Sequence, residues 1–198
     1  TFKGSCESFV QGKGRTIAFA SYLEKRHRVR KGYHLAHYLS SHDEPMAFYN
    51  LGGDLDAFRL CVALKMTSLG IPTIYYGEEV ARDGSVWPLN RNDMPWGERD
   101  VMPGKGAKRD EQLRDYYRKL IAARRGNSAL SHGDYRTLAS EGDLLVFERT
   151  DPEAGNAADA DHDGTRRQGN ALAAVCAPDR GAAFGHYGLV AGGRRDHR

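Results

Sequence analysis

His42, Asp43 and Glu44 stand side by side in the stretch SSHDEP, directly after the apolar run YHLAHYL. An imidazole beside two carboxylates has four readings. It can supply metal ligands, the base and orienter of a triad with Ser41, a carboxylate acting on a sugar, or an ordinary turn closed by Pro45. The triad fails on geometry, because neighbouring residues of an extended chain point to opposite sides and cannot line up as nucleophile, base and orienter. His34 and His37 fall on opposite faces of a strand, which makes them a poor metal pair. A metal-dependent hydrolase built on His42, Asp43 and His37 stays open as a rival. Asp159 to Gly164, DADHDG, copies the first half of a calcium loop, but Arg167 holds its ninth position and Asn170 its twelfth, where a bidentate Glu is needed. It reads as a solvated acidic loop. The two GKG stretches, 12–14 and 104–106, lack the spacing of a phosphate-binding loop.

These residues need elements to position them. Ile17, Phe19, Ala20, Tyr22 and Leu23 predict a helix whose basic end, Lys25, Arg26, Arg28, Arg30 and Lys31, reads as a solvated C-terminus. Alternation predicts a strand over 33–41, with Tyr33, Leu35, His37 and Leu39 on one side. Residues 54–69 are apolar nearly all round and predict a helix capped by Asp54 and stopped at Gly70. IPTIYYG then reads as a buried strand. Helix, glycine and buried strand in this order are the rhythm of an α/β fold with parallel strands. Asp43 thereby falls at the C-terminal end of a parallel-type strand, the end that carries chemistry in such sheets. Residues 78–108 read as a long functional loop, and 110–125 as an amphipathic helix with acidic start and basic end. Beyond it, DYRTLA, DLLVFERT and NALAAVCAP predict antiparallel strands, with a flexible polar loop at 151–170 and a tail from Phe184 that frays.

Composition narrows the class. With 40% hydrophobic and 28% charged residues, the 198-residue chain is ordinary for a soluble globular protein, and a net charge of +3 is too small to argue for nucleic acid. No apolar run reaches membrane-spanning length, and the first residues lack the apolar centre of a signal peptide. Cys6, Cys61 and Cys176, odd in number and far apart, argue against a disulfide framework or a thiolate zinc site and read as buried or incidental thiols. No cofactor is expected. The chain does not begin with Met, and it is read as a fragment.

Taken in order, four stretches resemble the last quarter of an α-amylase superfamily glycoside hydrolase, of the amylase, neopullulanase or α-glucosidase kind. Ser41, His42 and Asp43 match the Asn-or-Ser–His–Asp motif that ends the seventh barrel strand. Gly70, Pro72, Tyr75, Tyr76, Gly77 and Glu79 match the eighth-strand pattern G-x-P-x-x-Y-Y-G-x-E. Arg91, Met94 and Trp96 match R-x-x-M-x-W in the loop that follows. Leu120, Arg124, Ala129, Leu130, Gly133 and Tyr135 match the helix and entry to a small β domain. Met46 stands where many relatives carry Arg, and Leu89 or Asn90 where an acidic residue is common.

The resemblance implies an α/β fold: the last two units of a (β/α)8 TIM barrel in residues 1–126, and a small, incomplete antiparallel β domain in 127–198. It implies retaining action on α-glucosidic bonds of starch-type glucans or malto-oligosaccharides. Asp43 takes the part of the transition-state stabiliser, with His42 and Arg91 binding the sugar. Arg91 is expected to pair with a carboxylate from outside the chain. Trp87 and Trp96 are candidates for sugar stacking but read first as loop packing, and Tyr75, Tyr76 and Glu79 as structural parts of a buried strand. A full barrel takes about 250 residues, and no stretch here resembles the nucleophile or acid/base motif. The chain alone is therefore expected to be inactive. A non-catalytic glucan-binding or partner protein built on the same ending is the alternative. Partners other than a glucan, whether nucleic acid or membrane, are not expected. Oligomeric state, bond preference and compartment (cytoplasmic or secreted) stay open.

Overall fold

Apolar residues at helical spacing decide most of the architecture. The computed structural model describes residues 1–26, 28–30, 32–96, 109–152, 170–176 and 187–190, the last two segments by backbone alone. Its elements are α1 (Phe2–Val10), α2 (Thr16–Arg26), β1 (Ala36–His37), α3 (Ala47–Asn50), α4 (Leu55–Thr67), β2 (Ile71–Pro72), α5 (Glu111–Arg125), α6 (Ser128–His132), β3 (Asp134–Glu141), β4 (Leu144–Thr150), β5 (Asn170–Cys176) and β6 (Tyr187–Val190).

Helix α4 is the centre. Asp54 caps it, accepting from the amides of Asp56 (3.0 Å) and Ala57 (2.9 Å). Phe58, Leu60, Cys61, Val62, Leu64 and Met66 are all buried. Helix α1, which the sequence reading did not anticipate, packs on it through Phe2, Cys6, Phe9 and Val10, a stripe of helical period. In α2 the buried stripe is Thr16, Phe19, Ala20 and Leu23. Ile17, expected on that face, points to solvent because it lies one residue, about 100°, off the stripe.

The parallel pair is shorter and more open than the sequence predicts. Ala36 pairs with Ile71 and His37 with Pro72. His37 and Leu39 are buried, but Tyr33 and Leu35 are exposed, as are Ile71, Ile74 and Tyr76 of the stretch expected to be a buried strand. Parallel strands become buried when neighbours cover both edges and both faces. Among the described residues β1 and β2 pair only with each other, so solvent reaches them.

Strands β3 to β6 form an antiparallel sheet in sequence order. The expected β3–β4 hairpin turns through Gly142 at φ 53°. The tail expected to fray supplies β6, whose backbone pairs with β5 from Leu172–Val190 to Val175–Tyr187. Residues 153–169, with the calcium-like stretch, lie outside the described residues. Tyr135, Leu145 and Phe147 of the sheet share one apolar core with α1, α2 and α4. The segment expected as a long loop is folded through Trp96, around 3₁₀ turns at Glu78–Val80 and Leu89–Arg91; residues 97–108 lie outside the described residues.

Candidate active site

Past the end of β1 the chain reverses sharply. Ser41 and Glu44 form an isolated antiparallel bridge, leaving His42 and Asp43 at the tip. Several elements hold this turn. The Asp43 amide donates to Ser41 Oγ at 3.2 Å. The Ala47 amide donates to Ser40 Oγ (3.0 Å), and the Met46 amide to the Gly84 carbonyl (2.8 Å). From α1, buried Lys3 donates to the Pro45 carbonyl and pairs with Glu44 at 3.5 Å and Glu7 at 3.8 Å. Burial pushes the Glu7 carboxyl above its ordinary range, against the pull of Lys3.

At the tip, the Asp43 carboxylate lies 3.3 Å from His42 Nε2 and 3.5 Å from Arg91 Nη2. Arg91 Nε also donates to the His42 carbonyl at 3.0 Å. The structure thus brings the three sequence-predicted site residues together. Within this chain the partner of Arg91 is Asp43. The side chains are 71% (Asp43), 62% (His42) and 46% (Arg91) exposed. Ion pairs this open contribute at most about 1 kcal/mol. The arrangement instead leaves a carboxylate free to accept hydrogen bonds from hydroxyls of a ligand, with the polar side chains of His42 and Arg91 beside it.

The support beneath the tip was invisible in the sequence. Buried Asn90 and Arg82 form it. Arg82 stacks over Tyr76 (4.0 Å to the ring centre) and Tyr75 (5.3 Å) and donates to the carbonyls of Tyr76 (3.0 Å), Asn90 (3.2 Å) and Asn92 (3.2 Å). It lies so close to Gly77 (φ 81°) that a Cβ there would stand 2.7 Å from Arg82 Cδ, so only glycine fits. Tyr76 donates to the Asn92 carbonyl at 2.8 Å. The tyrosines are therefore structural, as expected, but through this cation and not through a buried strand. The buried acid of the segment is Glu78, one residue before the motif's Glu79. It pairs with Lys65 of α4 and accepts from Tyr117 of α5 at 2.6 Å. Burial and the Glu78 charge raise the Tyr117 hydroxyl well above its usual range.

The rival metal reading loses its third ligand. His37 Nε2 bonds the Lys65 carbonyl at 2.9 Å and the ring stacks on Phe2, turned into the core. Burial, then nearby Arg26, Arg124 and Lys65, lower its pKa to about 4, despite the opposing hydrogen bond to the Lys65 carbonyl. Among the described residues no three His, Cys, Asp or Glu are placed to hold a metal ion. Trp87 and Trp96, read first as loop packing, are exposed instead. Cys6 and Cys61 are buried thiols. No described helix is long and apolar enough to cross a membrane.

No family model matches the chain. It is 34% identical over 114 residues to neopullulanase 2 of Thermoactinomyces vulgaris, covering 57% of this chain and 18% of the relative. To a cyclomaltodextrinase of Thermoanaerobacter pseudethanolicus it is 32% identical over 111 residues, 56% of this chain and 18% of that one. The cyclic α-maltosyl-(1→6)-maltose hydrolase from Arthrobacter globiformis superposes with a TM-score of 0.72 at 25% identity, covering 89% of this chain and 36% of that structure. Over its matched residues the chain is similar to neopullulanase and cyclomaltodextrinase enzymes, in keeping with its resemblance to the α-amylase superfamily of glycoside hydrolases. The α-amylase from H. orenii agrees in fold, with a TM-score of 0.71 at 20% identity over 88% of this chain and 37% of that one. The chain thus spans under a fifth of the length of these curated superfamily relatives.

Proposed function

We propose that this chain forms the last two strand–helix units of a (β/α)8 barrel and its following β domain, within a longer retaining glycoside hydrolase. The substrates are α-glucosidic bonds of starch-type glucans or malto-oligosaccharides, cleaved by water or transferred to another sugar. One observation carries the reading: an open carboxylate, Asp43, stands past the C-terminal end of a parallel strand between His42 and Arg91. In this role Asp43 accepts hydrogen bonds from sugar hydroxyls that strengthen as the ring approaches an oxocarbenium ion. His42 and Arg91 bind the same sugar and hold the Asp43 charge. Bond cleavage needs a nucleophile and an acid/base about 5–5.5 Å apart. Earlier strands supply both, and the chain alone is inactive.

The test is an assay of the full-length protein carrying this chain on maltoheptaose, with the product anomer followed by NMR. The expected outcome is hydrolysis or transfer with retained configuration, slowed about 1,000-fold but still measurable in Asp43→Asn, and no turnover by the isolated 198 residues. Turnover by the isolated chain opposes the reading. So does a full-length protein that binds the glucan without cleaving it, which favours the non-catalytic alternative.

A further inference from the structure

Asn90 is only 1% exposed, yet its side chain reaches the candidate site from below. Its Nδ2 donates to the His42 carbonyl at 2.8 Å and to the Glu44 carbonyl at 3.1 Å. Those two residues flank Asp43, so one amide group ties down the backbone on both sides of the carboxylate. Carbonyl oxygens only accept, so the tie requires N–H donors and not merely a side chain of the right size. Among the described residues Asn90 Oδ1 is buried without a partner, and these two donations are the bonds of the amide group. Asn90 is itself held: its carbonyl accepts from Arg82 Nη2, and its neighbour Arg91 adds the third donor to the turn through the His42 carbonyl.

We infer that Asn90 is the positioning residue for the Asp43 carboxylate, acting through the turn and never touching substrate. Its effect on turnover rests on the glycosidase reading above; its effect on the turn does not. A misplacement of the turn by an ångström weakens contacts that matter only as the sugar ring flattens, so the loss falls on kcat more than on KM.

The experiment uses the full-length protein carrying this chain, with Asn90→Ala and Asn90→Asp, the second preserving size while replacing donors by an acceptor that repels both carbonyls. Hydrogen exchange followed by mass spectrometry should speed at least about tenfold over residues 41–46 in both variants, with α4 unchanged. On maltoheptaose, kcat should fall about 10- to 100-fold. In an Asp43→Ala background, adding Asn90→Asp should change the residual rate by less than about twofold, because a residue acting through Asp43 has nothing left to position. Unchanged exchange over 41–46 overturns the proposal, as does wild-type behaviour of Asn90→Asp, or an equal fold-loss with and without the Asp43 carboxylate. A wild type that cleaves no α-glucan defeats the functional reading instead, while the exchange at the turn still decides whether Asn90 fixes it.

Discussion

Arg124 and Arg149 at one end of the β1–β2 pair and Arg91 at the other use their guanidinium groups in opposite ways. Before β2, where α4 ends, Arg124 donates to the carbonyls of Met66 (2.7 Å), Ser68 (3.1 Å) and Gly70 (2.6 Å). Arg149, fully buried in β4, donates to those of Thr67 (2.8 Å), Gly133 (2.7 Å) and Asp134 (3.1 Å). Together they satisfy the Met66 and Thr67 carbonyls at the C-terminus of α4, where positive charge is also favoured, while His37 meets that of Lys65. Burial lowers Arg149 to about 9 and Arg124 to about 10, values that keep both charged at neutral pH. Past β1, by contrast, Arg91 stays half-exposed and faces an exposed carboxylate. A guanidinium whose donors all meet backbone carbonyls builds structure. One that faces an open carboxylate leaves hydrogen-bonding capacity for a ligand.

The contrast can be broken by mutation in the full-length protein. The largest effect is expected for Arg149→Ala, which strips three carbonyls of their donor in the interior and should lower stability by about 4 kcal/mol in urea unfolding. Arg149→Lys should recover only part, since an ammonium cannot span three carbonyls on two elements. A loss under about 1 kcal/mol would make this end no more structural than a surface charge.

His37, between the two ends, should give the next largest effect, and only in acid. Its folded pKa of about 4 lies below the ordinary 6.5, so the unfolded chain takes up a proton that the folded chain refuses. Its contribution is complete above about pH 6.5 and is lost as pH falls toward 4, amounting to about 3 kcal/mol at most. His37→Gln should flatten that part of the stability–pH curve, measured by denaturation at pH 7 and pH 4.5. An unchanged slope would place the titration elsewhere. The smallest effect on stability is expected at the site: Asp43→Asn should shift it by less than about 0.5 kcal/mol while slowing turnover about 1,000-fold. A destabilisation comparable to that of Arg149→Ala would erase the distinction between the ends.

Much of this was legible in sequence where the signal was local. The helix over 110–125 came with both stops: Asp110 accepts from the Leu113 amide at 2.8 Å, and Gly126 closes the C-terminus. The β3–β4 hairpin and α4 followed from period and turn residues. Gly4 and a lysine inside α1 hid its short apolar stripe, and β6, with Gly188 inside it in a glycine-rich tail, carried no alternation to read. The supporting cations were hidden for a different reason. Arg149 reaches Thr67 across 82 residues, and Asn90 reaches His42 across 48. Burial of a polar side chain has no sequence period, because it is decided by whichever distant carbonyl arrives beside it.

By itself, then, the sequence determined that an Asp closes an apolar strand, that a helix capped by Asp54 leads into a second strand, and that an antiparallel sheet follows; spacing and capping are local properties. Only the tertiary structure decided that Arg91 faces Asp43, that Asn90 braces the turn from inside, and that His37 is locked away from the site. Those outcomes depend on which surfaces meet, and hydrogen bonds between distant segments exist only once the core has brought them together.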